Sequence, residues 1–296
     1  MEKHGDVAGG VKVRRALLGA LLLLAQACAG AAEHQVTWVE FPALKEFQGE
    51  PVTLSALLFR PTGAGPFPSV VMMHGCGGML TSSGYLSVSF RHWAEVLAQN
   101  GYVALFPDSF GPRGQWSICD QQKRSILESR ERPEDAYAAR EWLAAQAWIA
   151  SERIFLMGWS NGGSGTLHAM RTTRKERGFR AAVSFYPGCR VMVRSKPQYI
   201  PYAPLLILIG EADDWTPAAP CVEMTKNAKE AGAPMDIVTY PDAHHSFDRL
   251  NSPVRYRPDV RNLNKPDRLG ATVGENPEAR KDATRRTLEF FAQHLK

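Results

Sequence analysis

The alternation of short apolar runs with amphipathic stretches constrains this chain more than any other feature. Residues 69–73 (Ser-Val-Val-Met-Met), 102–106 and 154–157 are too short for typical helices and apolar at nearly every position. Successive strand residues point to opposite faces, so such runs suit parallel strands covered by helices on both sides. Residues 181–185, 205–209 and 236–240 extend the series, and residues 36–41 and 52–59 read as two opening strands forming an antiparallel edge. Between them, Phe90, Trp93, Val96 and Leu97 recur at helical spacing and stop at Asn100-Gly101. Residues 134–148 read as an Ala-rich helix, residues 218–231 as another, and Leu288, Phe291 and Leu295 mark a last amphipathic one. The expectation is an α/β protein with a mostly parallel central sheet and helices on both faces. Residues 249–272, rich in Pro, Arg and Asn, have no clear period and read as a long surface loop within one domain spanning residues 33–296.

The first 32 residues are of another kind. Lys12, Arg14 and Arg15 precede the apolar run 16–25, which is followed by small residues through Ala29-Gly30-Ala31-Ala32. This order predicts a secretory signal peptide cleaved after Ala31 or Ala32, and hence a periplasmic or secreted protein. The apolar run falls short of the ~20 residues a membrane span needs, so no stable membrane insertion is expected after cleavage. The formal charge of +5 falls to +3 once these residues are set aside, too weak and dispersed to argue for nucleic acid. Export also changes the meaning of the cysteines. Cys76, Cys119, Cys189 and Cys221 would remain, an even number in an oxidising compartment. The favoured pairing is Cys76–Cys119 with Cys189–Cys221, because each pair lies on loops expected at the same end of the sheet; free buried thiols are the alternative.

Reactive residues gather after the strands, where open α/β sheets place their sites. Residues 154–157 lead into Gly158-Trp159-Ser160-Asn161-Gly162-Gly163, a Gly-x-Ser-x-Gly turn with a helix behind it. Residues 205–209 lead into Gly210-Glu211-Ala212-Asp213-Asp214-Trp215-Thr216-Pro217, and residues 236–240 into Pro241-Asp242-Ala243-His244-His245-Ser246-Phe247. Residues 69–73 lead into His74-Gly75-Cys76-Gly77-Gly78. A serine hydroxyl needs an adjacent base to act as nucleophile, and the base needs a carboxylate to hold its tautomer. The order serine, acid, histidine supplies all three, with Asp213 or Asp214 and His244 or His245 left open by spacing alone. Backbone N–H groups of Asn161 and Cys76 are the candidates for binding an oxyanion. No spacing among these residues matches a metal motif, and no cofactor is implied.

These motifs resemble those of the dienelactone hydrolase family, within the α/β-hydrolase fold, from about Val52 to Leu295. Pro107-Asp108-Ser109-Phe110 and Tyr186-Pro187-Gly188 add to the resemblance. The family's acid follows a glycine after two intervening residues, which selects Asp213, and its base sits two before the phenylalanine, which selects His245. The resemblance implies hydrolysis of a small-molecule ester or lactone by Ser160, His245 and Asp213 through an acyl-enzyme. The founding members use cysteine with an activating glutamate; here serine stands at the nucleophile position and His74 near the glutamate's. Members that bind an anionic lactone use two arginines, which the resemblance maps to Arg249 and Arg113. A peptidase of the prolyl-oligopeptidase type shares the chemistry, though no gating domain is evident. A non-catalytic hydrolase-like binding protein would be expected to lack a triad member, and none is lost.

Overall fold

A central eight-stranded sheet runs in the order β1-β2-β4-β3-β5-β6-β7-β8 in a computed structural model that describes residues 34–172 and 178–296. Its strands are β1 (His34–Pro42), β2 (Thr53–Pro61), β3 (Phe67–Met73), β4 (Val103–Pro107), β5 (Ile149–Trp159), β6 (Ala182–Phe185), β7 (Leu205–Gly210) and β8 (Met235–Tyr240). β2 is antiparallel to both neighbours, and β3 to β8 are mutually parallel. The helices are α1 (Val88–Gln99), α2 (Glu131–Ala144), α3 (Asn161–Ala169), α4 (Arg190–Val193), α5 (Ala218–Glu230) and α6 (Pro277–Gln293). Consecutive residues Ile154 to Trp159 of β5 are all buried, so both faces of the strand are covered. Phe291 of α6 packs 4.9 Å from the Phe155 ring, while α2 and α3 pack on each other and on β5. Residues Ala31–Lys296 form one compact unit, and the predicted signal segment, residues 1–32, lies outside the described residues.

Two expectations need correction. The helix expected over residues 134–148 runs Glu131–Ala144 instead. It starts earlier because Pro133 sits in the first turn, where no N–H is required. It stops earlier because Trp148 accepts the Phe67 N–H at 2.9 Å and so belongs to the start of the sheet. The expected loop over residues 249–272 contains an antiparallel hairpin, β9 (Arg255–Arg261) with β10 (Leu269–Val273). Its first strand, Arg-Tyr-Arg-Pro-Asp-Val-Arg, is largely exposed, so no apolar alternation marks it. What holds it are polar ties. Asn262 Nδ2 donates to the carbonyls of Asp214 and Gly270 at 2.9 and 2.7 Å, and the Trp215 indole donates to Arg261 O at 2.8 Å. Val260 and Ala271 add apolar contact to a small second core with Cys76, Phe110, Ile118 and Cys119.

Candidate active site

Ser160 joins β5 to α3 with φ 51° and ψ −113°, a backbone conformation that L-residues rarely adopt. The sharp turn depends on missing side chains. A Cβ on Gly158 would strike the Gly162 carbonyl, and one on Gly162 would strike the carbonyls of Met73 and His74. The same close approach brings the loop after β3 beside the serine: a Cβ on Gly75 would lie 3.5 Å from Ser160 Cβ.

His245 Nε2 lies 2.9 Å from Ser160 Oγ, and its Nδ1 lies 2.7 Å from Asp213 Oδ2. A carboxylate only accepts, so the imidazole proton sits on Nδ1 and Nε2 is left to accept from the hydroxyl. Asp213 is itself fixed: its Oδ1 accepts the backbone N–H groups of Trp215 and Thr216 at 2.9 and 2.8 Å. The Thr216 hydroxyl lies 2.9 Å from Asp213 Oδ2 and 3.0 Å from the Tyr186 carbonyl. The His245 ring is walled by Tyr186 and Trp215, with centroids 4.7 and 4.8 Å away, and Asp213 and His245 are both buried. The doubled residues divide their work. Asp214 accepts from Thr272 N at 2.8 Å and pairs with Lys265 at 3.1 Å, which ties down the hairpin. His244 faces the Ala212 carbonyl at 3.1 Å rather than the serine.

Asn161 opens α3, where the helix presents free N–H groups and the positive end of its dipole. Cys76 lines the same cleft as Ser160 and is disulfide-bonded to Cys119. The second pair, Cys189–Cys221, is also bonded. The cleft measures about 640 Å³, open mouth included, and Arg249 and Arg257 both line it. Among the described residues no cluster of three or more metal-ligating side chains is assembled, and no helix is long and apolar enough to cross a membrane.

Arg113, expected to face the substrate with Arg249, is instead turned away from the cleft. It is buried, its two terminal nitrogens bind the Asp135 carboxylate at 2.7 and 2.8 Å, and it does not line the cleft. The Asp135 partner, 22 residues away, turns the guanidinium inward. His74 is also sequestered: its Nε2 accepts the Ser109 N–H at 3.1 Å, and Arg132 grips its carbonyl. Burial, helped by the Arg132 charge, pushes its pKa well below the ordinary histidine value.

The strand order and the turn at Ser160 define the class, an α/β-hydrolase. The profile of the Dienelactone hydrolase family matches residues 54–295, and the chain belongs to that family. It is a hydrolase acting on esters of small molecules. A Bradyrhizobium protein named "Probable 2-oxo-3-(5-oxofuran-2-ylidene)propanoate lactonase" is 27% identical over 204 residues, covering 65% of this chain and 78% of that one. The crystal structure of dienelactone hydrolase from Anabaena variabilis superposes with a TM-score of 0.58 at 20% identity, covering 89% of this chain and 99% of its own. The acylaminoacyl peptidase of Pyrococcus horikoshii shares the fold at TM-score 0.61 and 17% identity, with 89% of this chain matched to 42% of that one.

Three residues beside the site escaped sequence reasoning: Thr216, Tyr186 and Arg257. Thr216 and Tyr186 stand inside motifs already singled out, so a tally of polar atoms beside Asp213 and His245 could have found them. Arg257 carried no signal, because its strand was read as loop.

Proposed function

We propose that this protein is an exported serine hydrolase that cleaves carboxylic esters or lactones through an acyl-enzyme. The observation that carries this reading is the row Asp213–His245–Ser160, bonded at 2.7 and 2.9 Å, with Ser160 and His245 lining the cleft. Ser160 Oγ attacks the carbonyl carbon while its proton passes to His245 Nε2, and Asp213 stabilises the imidazolium. The N–H groups of Asn161 and Cys76 bind the resulting oxyanion; each such donor is worth roughly 10²–10³ in turnover. Collapse of the intermediate expels the alkoxide, which takes the proton from His245. Water, deprotonated by the same nitrogen, then releases the acid and restores Ser160. The two disulfides support an oxidising, exported location.

Arg249 gives the substrate a second feature. Arg249 lines the same cleft as Ser160, and a guanidinium suits a carboxylate; Arg257 of the hairpin also lines it, with its own guanidinium paired to Asp259. The propanoate lactone in the Bradyrhizobium relative's name is a substrate of this type. One experiment tests both parts: fluorophosphonate labelling, then turnover of matched neutral and carboxylated esters by wild type and Arg249→Ala. Label on Ser160 and a selective loss of the carboxylated ester in Arg249→Ala are expected. Folded protein that takes no label refutes the hydrolase, and unchanged selectivity refutes the carboxylate contact.

A further inference from the structure

A carboxylate that lines the same cleft as Ser160 and His245 has no part in the steps above. Asp248 is 2% exposed. Its Oδ2 accepts the indole N–H groups of Trp93 and Trp159 at 2.8 and 2.7 Å, and its Oδ1 accepts the Tyr186 O–H at 2.6 Å. None of the three donors is basic, so these hydrogen bonds are not ion pairs. A buried carboxylate is costly unless its lone pairs are satisfied, and an apolar residue would fill the same volume without that cost. What an apolar residue would not do is set directions.

Two of the three partners belong to segments that carry part of the site. Trp159 is the residue immediately before Ser160 on β5. The Tyr186 ring packs against the His245 ring, and its carbonyl meets the Thr216 hydroxyl beside Asp213. Asp248 itself follows His245 by three residues. Trp93, on α1, braces the group from behind. One side chain therefore ties the strand end that presents the serine, the turn that presents the histidine and the wall on which the imidazole rests. Hydrogen bonds to a charged acceptor are roughly twice as strong as neutral ones, and three converging bonds leave little freedom.

We propose that Asp248 is a positioning residue, whose three hydrogen bonds hold Ser160 and His245 at attack geometry. This deduction rests on the hydrolase reading above. A misplacement of ~1 Å can cost ~10²-fold in rate, so the expected signature lies in kcat rather than KM. The test measures kcat and KM on a short nitrophenyl ester for wild type, Asp248→Ala, Asp248→Asn and Tyr186→Phe, with folding followed by near-ultraviolet circular dichroism. Asp248→Ala should lose ~10²-fold in kcat with KM within about threefold. An Asn oxygen can still accept both indoles while its amide donates to the reversible Tyr186 hydroxyl, so Asp248→Asn should recover most of the loss. Tyr186→Phe, which deletes one bond, should fall between wild type and Asp248→Ala. Indole emission should shift in the alanine variant alone. A folded Asp248→Ala with wild-type kcat, or with its loss confined to KM, overturns the proposal. If that variant does not fold, wild-type kcat in Tyr186→Phe overturns it instead. Failure of the hydrolase reading is distinguishable, because wild type would then neither label at Ser160 nor turn over ester.

Discussion

At φ 51° the Ser160 Cβ strains the very turn that displays its hydroxyl. Such conformations cost roughly 1–3 kcal/mol and persist where the surroundings hold them. Ser160→Gly should therefore be more stable than Ser160→Ala by about 1 kcal/mol or more, a difference that urea denaturation of the two inactive proteins would read. His74 supplies a second test at this scale. Its pKa is depressed in the folded state by burial and by Arg132, so the unfolded chain binds the extra proton more readily. Its stabilising contribution is complete above the unfolded value near 6.5 and is lost as pH falls below it. The slope from this one group is at most about 1.4 kcal/mol per pH unit. His74→Gln should flatten the fall in melting temperature between pH 7 and 5; an equal fall in both proteins would show that His74 is not responsible. Ser160, Asp213 and His245 were legible because each follows a strand whose apolar run announces it. Asp248 was not, since its partners stand 155, 89 and 62 residues away and only the fold brings them together.

The two disulfides differ in what they fasten. Cys76–Cys119 closes a span of 43 residues and joins the loop beside Ser160 to a segment whose Cys119 carbonyl accepts the Arg261 N–H of β9 at 2.8 Å. Cys189–Cys221 closes 32 residues and joins the start of α4 to α5. Loop-closure entropy assigns each about 4 kcal/mol. Replacing either pair by serine should lower the melting temperature by comparable amounts, but only loss of Cys76–Cys119 should also cut kcat more than tenfold. Equal kcat in the two double variants would remove the first bridge from the site. The pairing was legible because strand ends cluster at one edge of a parallel sheet. The β9–β10 hairpin was illegible for the opposite reason: its stability comes from Asn262, Trp215 and Asp214 binding backbone, not from a periodic apolar face.

For the molecule as a whole, the order of elements carried the fold, because six parallel strands with intervening helices admit few right-handed, short-connection arrangements. The limits of substrate were not carried, because cleft shape depends on segments held by long-range polar contacts. The compartment is open to direct test. Protein recovered from the periplasm should begin at Ala32 or Glu33 and show no free thiol under denaturing titration. A retained residue 1, or four titratable cysteines, would contradict export.

The hairpin is fastened at three fronts: the turn carrying Asp213, the backbone of His245 through Val273 and Gly274, and the Cys119 segment. Yet much of β9 faces outward and belongs to no catalytic residue. Such an arrangement separates the parts that must stay constant from a rim that can drift. Lineages or engineers could rewrite the exposed positions around Arg257 to admit a new acid or alcohol group while leaving the reacting atoms undisturbed.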